Sequence, residues 1–127
     1  MGTILLVEDD ANMVQLLKSV LEKDGHTIWE AYNGQEALSL MGVDSRTTFP
    51  KLPDLIILDI MLPVMDGFTF HNLLLENETT RSLPIILVTA KGQMKEVFAM
   101  SPNVKAYVEK PFDVRKFREL INSQLKK

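Results

Sequence analysis

Leu55-Ile56-Ile57-Leu58-Asp59-Ile60-Met61-Leu62-Pro63-Val64-Met65-Asp66-Gly67 is the stretch that decides the fold this sequence predicts. Its first four residues are apolar and include two β-branched isoleucines, a pattern typical of a short strand buried on both faces. Pro63, Asp66 and Gly67 then break the run into a loop. Asp59 therefore stands where a buried strand reaches the surface. In open α/β sheets ligands bind at this carboxyl edge of the strands.

The composition indicates one globular domain. The chain has 127 residues, 46% of them hydrophobic and 24% charged, enough to bury a core without metal or disulfide staples. It has no cysteine, which excludes thiol catalysis and cysteine-based zinc sites. Without an apolar run of ~18 residues or a basic and then apolar start, we expect no membrane span, no signal peptide and a cytoplasmic location. The net charge of -3 argues against direct nucleic-acid binding.

Strand-like and helix-like patterns alternate along the rest of the chain. Apolar, β-branched runs predict five strands, and apolar residues at helical spacing predict five helices. The predicted strands are 3–7, 27–31, 55–58, 83–89 and 106–109, and the helices lie within 10–25, 33–42, 70–78, 91–99 and 113–127. Residues 43–52 show no period and are interpreted as a surface loop.

Alternating strands and helices with short connections favour parallel βαβ units with right-handed crossovers. The sequence thus predicts a three-layer α/β sandwich with a five-stranded parallel sheet. Since parallel strands all point the same way, the residues that follow them gather at one edge. They are Glu8, Asp9, Asp10, Asp59, Thr89-Ala90 and Lys110-Pro111.

A cluster of carboxylates at this edge requires a cation. At about 5 Å and an effective dielectric constant near 20, each pair of carboxylates repels by roughly 3 kcal/mol. Few carboxylates and no sulfur suit Mg²⁺, with Mn²⁺ as the alternative, better than Ca²⁺. A hydroxyl at Thr89 and an ammonium at Lys110 are donors suited to a phosphoryl group. Asp59 is then the candidate nucleophile, which would form an aspartyl-phosphate.

Four motifs in this order resemble the receiver domain of two-component response regulators, the CheY-like family. They are Glu8-Asp9, the run from Asp59 to Gly67, Thr89-Ala90, and Tyr107 followed by Lys110-Pro111-Phe112. The resemblance covers essentially the whole chain. It implies a flavodoxin-like sheet of order 2-1-3-4-5. We expect a single receiver domain over residues 1–127 without an output domain, with a fragment from which such a domain was removed as the alternative.

The resemblance also implies roles for the residues at the edge. Asp59 would accept a phosphoryl group from the phosphohistidine of a sensor histidine kinase or a phosphotransfer protein. Asp9 would bind Mg²⁺ directly and Glu8 through water, and the backbone carbonyl of Met61 would complete the metal site. Lys110 would pair with the phosphoryl group.

The same resemblance implies a switch. Thr89 would hydrogen-bond the phosphoryl group and Tyr107 would then turn inward, which changes the face made by the fourth helix, the fifth strand and the fifth helix. That face would signal to a downstream protein, and a homodimer formed on phosphorylation is left open. Ala90 is the second residue of the Thr89-Ala90 motif. The cis Lys-Pro bond of the family would be Lys110–Pro111. Residues 100–104 depart from the family's usual Gly-Ala-Asp turn on this output face.

By this interpretation the chain is not an enzyme, apart from catalysing its own phosphorylation and dephosphorylation. Three alternatives remain open. A phosphohydrolase with an aspartate nucleophile needs a second Asp where Met61 stands, and a flavodoxin-type cofactor carrier needs Gly, Ser and Thr after the first strand. A degenerate receiver would act only by binding a partner.

The apolar side chain of Met61 also predicts that the phosphoryl form has a long lifetime, which Met61→Asn should shorten.

Further polar and apolar residues are predicted to have structural roles only. Asp10 is interpreted as a helix cap, and His26 and His71 are expected to face solvent. The buried face of the first helix is predicted from the spacing of five apolar residues, namely Met13, Leu16, Leu17, Val20 and Leu21.

Overall fold

The computed structural model describes residues 2–42, 52–59, 67–90, 103–110 and 112–125. Strands and helices alternate through these residues as the sequence predicts. In chain order they are β1 (Thr3–Val7), α1 (Ala11–Lys23), β2 (Thr27–Ala31), α2 (Gly34–Met41), β3 (Leu55–Asp59), α3 (Gly67–Glu76), β4 (Ile85–Ala90), β5 (Val104–Lys110) and α4 (Val114–Leu125). The helix predicted over 91–99 lies outside the described residues.

The five strands form one parallel sheet in the order β2-β1-β3-β4-β5, which confirms the predicted fold and strand order. Because β1 has β2 on one side and β3 on the other, the strand order reverses there. In such sheets a crevice opens beyond the carboxyl ends of the two strands at the reversal. The acidic residues after β1 and at the end of β3 border this crevice.

Two apolar layers cover the two faces of the sheet. Alternate residues of a strand point to opposite faces, so Leu5 and Val7 lie in one layer while Ile4 and Leu6 lie in the other. The first layer includes residues of α2 and α3, and the second includes residues of α1 and α4. Residues 55–58 of β3 are fully buried, as expected for a central strand of a parallel sheet.

The ends of α2 show why the sequence forms a helix there. Asn33 caps its start, where its side chain accepts a hydrogen bond from the backbone N–H of Glu36 at 2.9 Å. The Glu36 carboxylate in turn accepts from the N–H of Tyr32 at 2.7 Å. At the other end Gly42 adopts φ 74°, a left-handed conformation in which glycine has no steric penalty.

The predicted buried face of α1 is wrong at two positions. Val14, which is absent from the predicted set, is fully buried together with Leu17 and Leu21, whereas Leu16 is 44% exposed. Val14, Leu17 and Leu21 follow the i, i+3, i+7 spacing of one helix face, and that face packs on the sheet. Leu16 precedes Leu17 by one residue, which is about 100° around a helix, so it points away.

Both histidines are buried, and the prediction that they face solvent is wrong. His26 accepts a hydrogen bond at Nδ1 from the N–H of Gly2 at 3.1 Å, so its Nε2 donates to Asn122 Oδ1 at 2.6 Å. His71 Nε2 bonds to Asn103 Oδ1 at 3.2 Å, and burial lowers the pKa of His71. Each ring is hydrogen-bonded to a side chain that is distant in sequence. A local sequence pattern does not reveal such contacts.

The bounds of two strands, β4 and β5, differ from the predicted ones by a few residues. β4 begins at Ile85, two residues later than expected, and β5 extends at both ends to Val104–Lys110. The longer β5 places Lys110 inside the strand rather than after it. Among the described residues, none of the helices has the length and apolar character needed to cross a bilayer.

Candidate functional site

Three strand ends bring charged side chains together at the carboxyl edge of the sheet. Glu8 directly follows β1, Asp59 is the last residue of β3, and Lys110 is the last residue of β5. Asp59 pairs in register with Val88 of β4, and Lys110 pairs with Ala90 of the same strand. The sheet therefore fixes the backbone positions from which the charged side chains reach one another.

Lys110 bridges the two buried carboxylates. Its Nζ lies 3.0 Å from Oε1 of Glu8 and 3.0 Å from Oδ2 of Asp59. The Glu8 and Asp59 side chains are only 3% and 5% exposed. Water screens these charges poorly, so their interactions are stronger than those of surface ion pairs.

Asp9 adds a third carboxylate at the mouth of the site. One carboxylate oxygen from each of Glu8, Asp9 and Asp59 can be chosen so that all three lie within 4.8 Å of one another. Asp9 is exposed, whereas the other two are buried. Among the residues that the structure describes, these three carboxylates outnumber the one ammonium in the cluster, that of Lys110. An acidic, all-oxygen donor set with surplus negative charge fits a hard divalent cation such as Mg²⁺.

The pKa values reflect this crowding of negative charge. Burial, together with a hydrogen bond to Asp59, raises the pKa of Glu8 to about 7, although the bond to Lys110 works in the opposite direction. Burial alone would lower the pKa of Lys110, but its bonds to Glu8 and Asp59 outweigh burial and raise that pKa. The ammonium thus stays charged, while the raised pKa of Glu8 reflects unfavourable negative charge at the site that a bound cation would offset.

The loop that carries Glu8 and Asp9 is held at both ends. The N–H of Glu8 donates to the carbonyl of Ala31 at 3.0 Å, which ties the loop to β2. The N–H of Asp10 donates to Oε2 of Glu8 at 3.2 Å. The sequence predicted Asp10 as a helix cap but not this second contact, because a backbone N–H leaves no trace in a residue pattern.

The remaining predicted site residues are described less fully. Thr89 and Ala90 are the last two residues of β4 and pair in register with Glu109 and Lys110. Tyr107 lies on β5 opposite Leu87 and is 42% exposed, so its ring is not turned into the core. The predicted carbonyl ligand at Met61 and the predicted cis peptide at Pro111 lie outside the described residues.

A family model and the curated relatives of this chain point to the same family. The family model described as the response regulator receiver domain matches residues 4–122. The protein PilH of Pseudomonas aeruginosa is 30% identical over 126 residues, which cover 98% of this chain and 98% of PilH. The chain spans about half the length of other curated relatives that it matches.

Solved structures share the fold. A putative response regulator from Chloroflexus aurantiacus has a TM-score of 0.82 and 28% identity, with 99% of this chain and 98% of that chain covered. The receiver domain of a sensor histidine kinase from Pseudomonas aeruginosa, solved with a magnesium ion coordinated in its active site cleft, has a TM-score of 0.79 and 24% identity. That comparison covers 99% of this chain and 98% of the other, and it supports the fold.

Proposed function

We propose, from the premise that this chain belongs to the family of response regulator receiver domains, that it accepts a phosphoryl group on Asp59. The donor would be a phosphohistidine of a sensor histidine kinase or of a phosphotransfer protein in the cytoplasm. The observation that carries the proposal is the position of Asp59, at a strand end beside Lys110 and within a cluster of three carboxylates.

The cluster would also hold the divalent cation that this reaction requires. Asp9 and Asp59 would be direct ligands of Mg²⁺ or Mn²⁺, Glu8 would act through water, and the Met61 carbonyl would complete the set. When bound, the cation neutralises negative charge on the carboxylates and on the phosphoryl oxygens. The acidic, oxygen-only composition of the cluster supports this assignment.

The phosphoryl transfer is a displacement at phosphorus by an oxygen of Asp59. A new O–P bond forms, and the P–N bond of the phosphohistidine breaks with its electron pair kept by the imidazole nitrogen. Lys110 Nζ, which already lies 3.0 Å from Asp59, would pair with the incoming phosphoryl oxygens. Later attack by water would release phosphate and restore the carboxylate, so the chain would catalyse only its own modification.

The switch would begin when Lys110 exchanges its carboxylate partners for the phosphoryl group. Lys110 ends β5, the strand that also carries Tyr107, so the site and the exposed ring share one strand. Thr89 would hydrogen-bond the phosphoryl group, and Tyr107 would turn inward. The surface around β5 would then change the affinity of the chain for a downstream protein.

The experiment that tests this function uses acetyl phosphate as a small phosphodonor. With Mg²⁺ present, intact-mass spectrometry should show one added phosphoryl group that hydroxylamine removes. Asp59→Asn should show none, and chelating the cation with EDTA should prevent the modification of the wild-type chain. Equal incorporation into Asp59→Asn, or none into the wild type, would reject the proposal.

A further inference from the structure

The loop between β1 and α1, residues 8–10, carries two of the three clustered carboxylates. Its third residue, Asp10, points its side chain toward the helix rather than toward the cluster. Asp10 Oδ1 accepts hydrogen bonds from the N–H groups of Asn12 at 2.9 Å and Met13 at 3.3 Å. The carbonyl of Asp10 accepts from the N–H of Val14 at 3.0 Å. These three bonds fix the orientation of Asp10 at the start of α1.

The N–H of the same residue points back into the site. It donates to Oε2 of Glu8 at 3.2 Å, while Oε1 of Glu8 is 3.0 Å from Lys110 Nζ. The Glu8 carboxylate is therefore held through both of its oxygens. The peptide group that supplies this N–H also joins Asp9 to Asp10, so holding it in place also fixes the position of the Asp9 Cα, from which the third carboxylate extends.

We propose that Asp10 is a positioning residue for the divalent-cation site. Its side-chain cap on α1 orients the 9–10 peptide, which in turn aims the carboxylates of Glu8 and Asp9 at the cation. Asp10 is not itself a ligand in this arrangement, because its side chain is turned to the start of α1 and the carboxylates that come close enough to share an ion are those of Glu8, Asp9 and Asp59. The inference rests on the proposed function, since it concerns the same cation.

The chain offers a closely matched control at the start of α4. Asp113 Oδ1 accepts from the N–H groups of Arg115 at 2.8 Å and Lys116 at 3.3 Å, and its carbonyl accepts from Phe117 at 3.0 Å. Asp113→Ala thus removes one helix cap and one negative charge at the same edge of the sheet, but it leaves the bond from Asp10 to Glu8 in place.

Isothermal titration of the unphosphorylated full chain with Mg²⁺ tests the inference without any phosphoryl transfer. Asp10→Ala should bind Mg²⁺ about tenfold more weakly than the wild type, the effect typical of losing a group that orients metal ligands. Asp10→Asn keeps a side-chain oxygen for the cap and should restore affinity to within about threefold of the wild type. Asp113→Ala should stay within the same limit.

Two results would overturn the inference. One is equal Mg²⁺ affinity of Asp10→Ala and Asp113→Ala. The other is an Asp10→Asn variant as weak as Asp10→Ala, which would assign the effect to charge instead of capping. If Asp10→Ala does not fold, Asp10→Gly replaces it, since glycine is tolerated at a cap but supplies no side-chain oxygen. Its affinity should also fall, and wild-type affinity for Asp10→Gly would likewise overturn the inference.

The outcome separates this inference from the proposed function. A wild-type chain that binds no Mg²⁺, or an Asp9→Asn variant that binds it as tightly as the wild type, contradicts the cation site itself. A wild-type chain that binds Mg²⁺ and loses it on Asp9→Asn, but not on Asp10→Ala, contradicts only the role of Asp10.

Discussion

Two polar clusters lie at opposite edges of the same sheet. The carboxyl-edge cluster consists of Glu8, Asp9, Asp59 and Lys110, at the ends of β1, β3 and β5. The amino-edge cluster consists of Asp24, His26, Arg118 and Asn122, where the end of α1 and the start of β2 meet α4. Both contain carboxylate and positively charged side chains, yet they differ in the ratio of the two.

The amino-edge cluster is complete in itself. The Asp24 carboxylate accepts from Arg118 Nε at 2.7 Å and Nη2 at 2.5 Å, and from Asn122 Nδ2 at 2.9 Å. The bond from Arg118, followed by the bond from Asn122, lowers the pKa of Asp24 to about 2. One carboxylate thus meets one guanidinium in a two-point contact, and the cluster fastens α4 to α1.

The carboxyl-edge cluster has the opposite balance. In the described part of the chain this cluster contains three carboxylates and one ammonium, and the pKa of Glu8 is raised rather than lowered, chiefly by burial and then by the bond to Asp59. The comparison teaches that the sign of the pKa shift follows the number of cations per carboxylate and the degree of burial. A cluster short of positive charge is suited to a ligand that brings it.

The largest expected difference between the two clusters is in the phosphorylation rate after the positively charged side chain of each is removed. Lys110→Ala should slow phosphorylation by acetyl phosphate about 100-fold or more, because it removes the fixed positive charge beside Asp59. Arg118→Ala should leave the rate unchanged. The measurement is the fraction of phosphorylated protein, followed over time by mass spectrometry. Lys110→Arg, which keeps the positive charge, is the control variant for a substitution at this position. Equal rates for Lys110→Ala and Arg118→Ala would remove the functional distinction between the edges.

Magnesium should stabilise the chain through one edge only. At 100 times its dissociation constant, Mg²⁺ should raise the free energy of unfolding by about 2.7 kcal/mol. Urea unfolding with and without Mg²⁺ measures the gain. Asp9→Asn should abolish it, whereas Asp24→Asn should retain it. A gain that persists in Asp9→Asn, or one that is lost in Asp24→Asn, would contradict binding of the ion at the carboxyl edge.

The amino edge should govern stability without affecting phosphorylation. Asn122→Ala removes the acceptor of the buried His26 N–H and a donor to Asp24, and it should lower the free energy of unfolding by about 1–2 kcal/mol. Urea unfolding gives this value, and phosphorylation kinetics should match the wild type. Slower phosphorylation of Asn122→Ala than of the wild type would show that the two edges are coupled, which would contradict this account.

The smallest expected effect is a pH dependence at Asp24. Its folded pKa of about 2 lies below the usual aspartate value of 3.8, so its charge stabilises the fold above pH 3.8. That stabilisation should be lost as the pH falls through about 2. The melting temperature of Asp24→Asn should therefore lie below that of the wild type at neutral pH and approach it in acid. A constant difference across this range would contradict the assignment.

The sequence allowed much of the carboxyl edge to be predicted. The alternation of strands and helices with short connections indicated parallel topology, and that topology alone brings residues 51 positions apart, such as Asp59 and Lys110, to one edge. It did not reveal that Lys110 would bridge two carboxylates, because the choice of partner depends on side-chain conformation and burial. Nor did it reveal the bond between the Asp10 N–H and Glu8.

The amino edge could not be predicted in the same way. Asp24 and Arg118 are 94 residues apart, and neither belongs to a recurring pattern at a strand end. Their contact depends on how α4 crosses the end of α1, which is set by the packing of apolar residues such as Phe117 and Leu21. The burial of His26 follows from the same packing. Local periodicity predicts which face of a helix is buried but not which polar groups meet beyond its end.

Amide NMR spectra of one sample before and after addition of Mg²⁺ and acetyl phosphate test the central claim most directly. The claim is that the carboxyl edge is incomplete until a cation and a phosphoryl group arrive, whereas the amino edge is complete already. The account predicts that the amides of Glu8, Asp10, Asp59 and Lys110 shift, while those of Asp24, Gly25 and Asn122 stay in place. Unchanged amides at the carboxyl edge, or larger shifts at the amino edge, would contradict it.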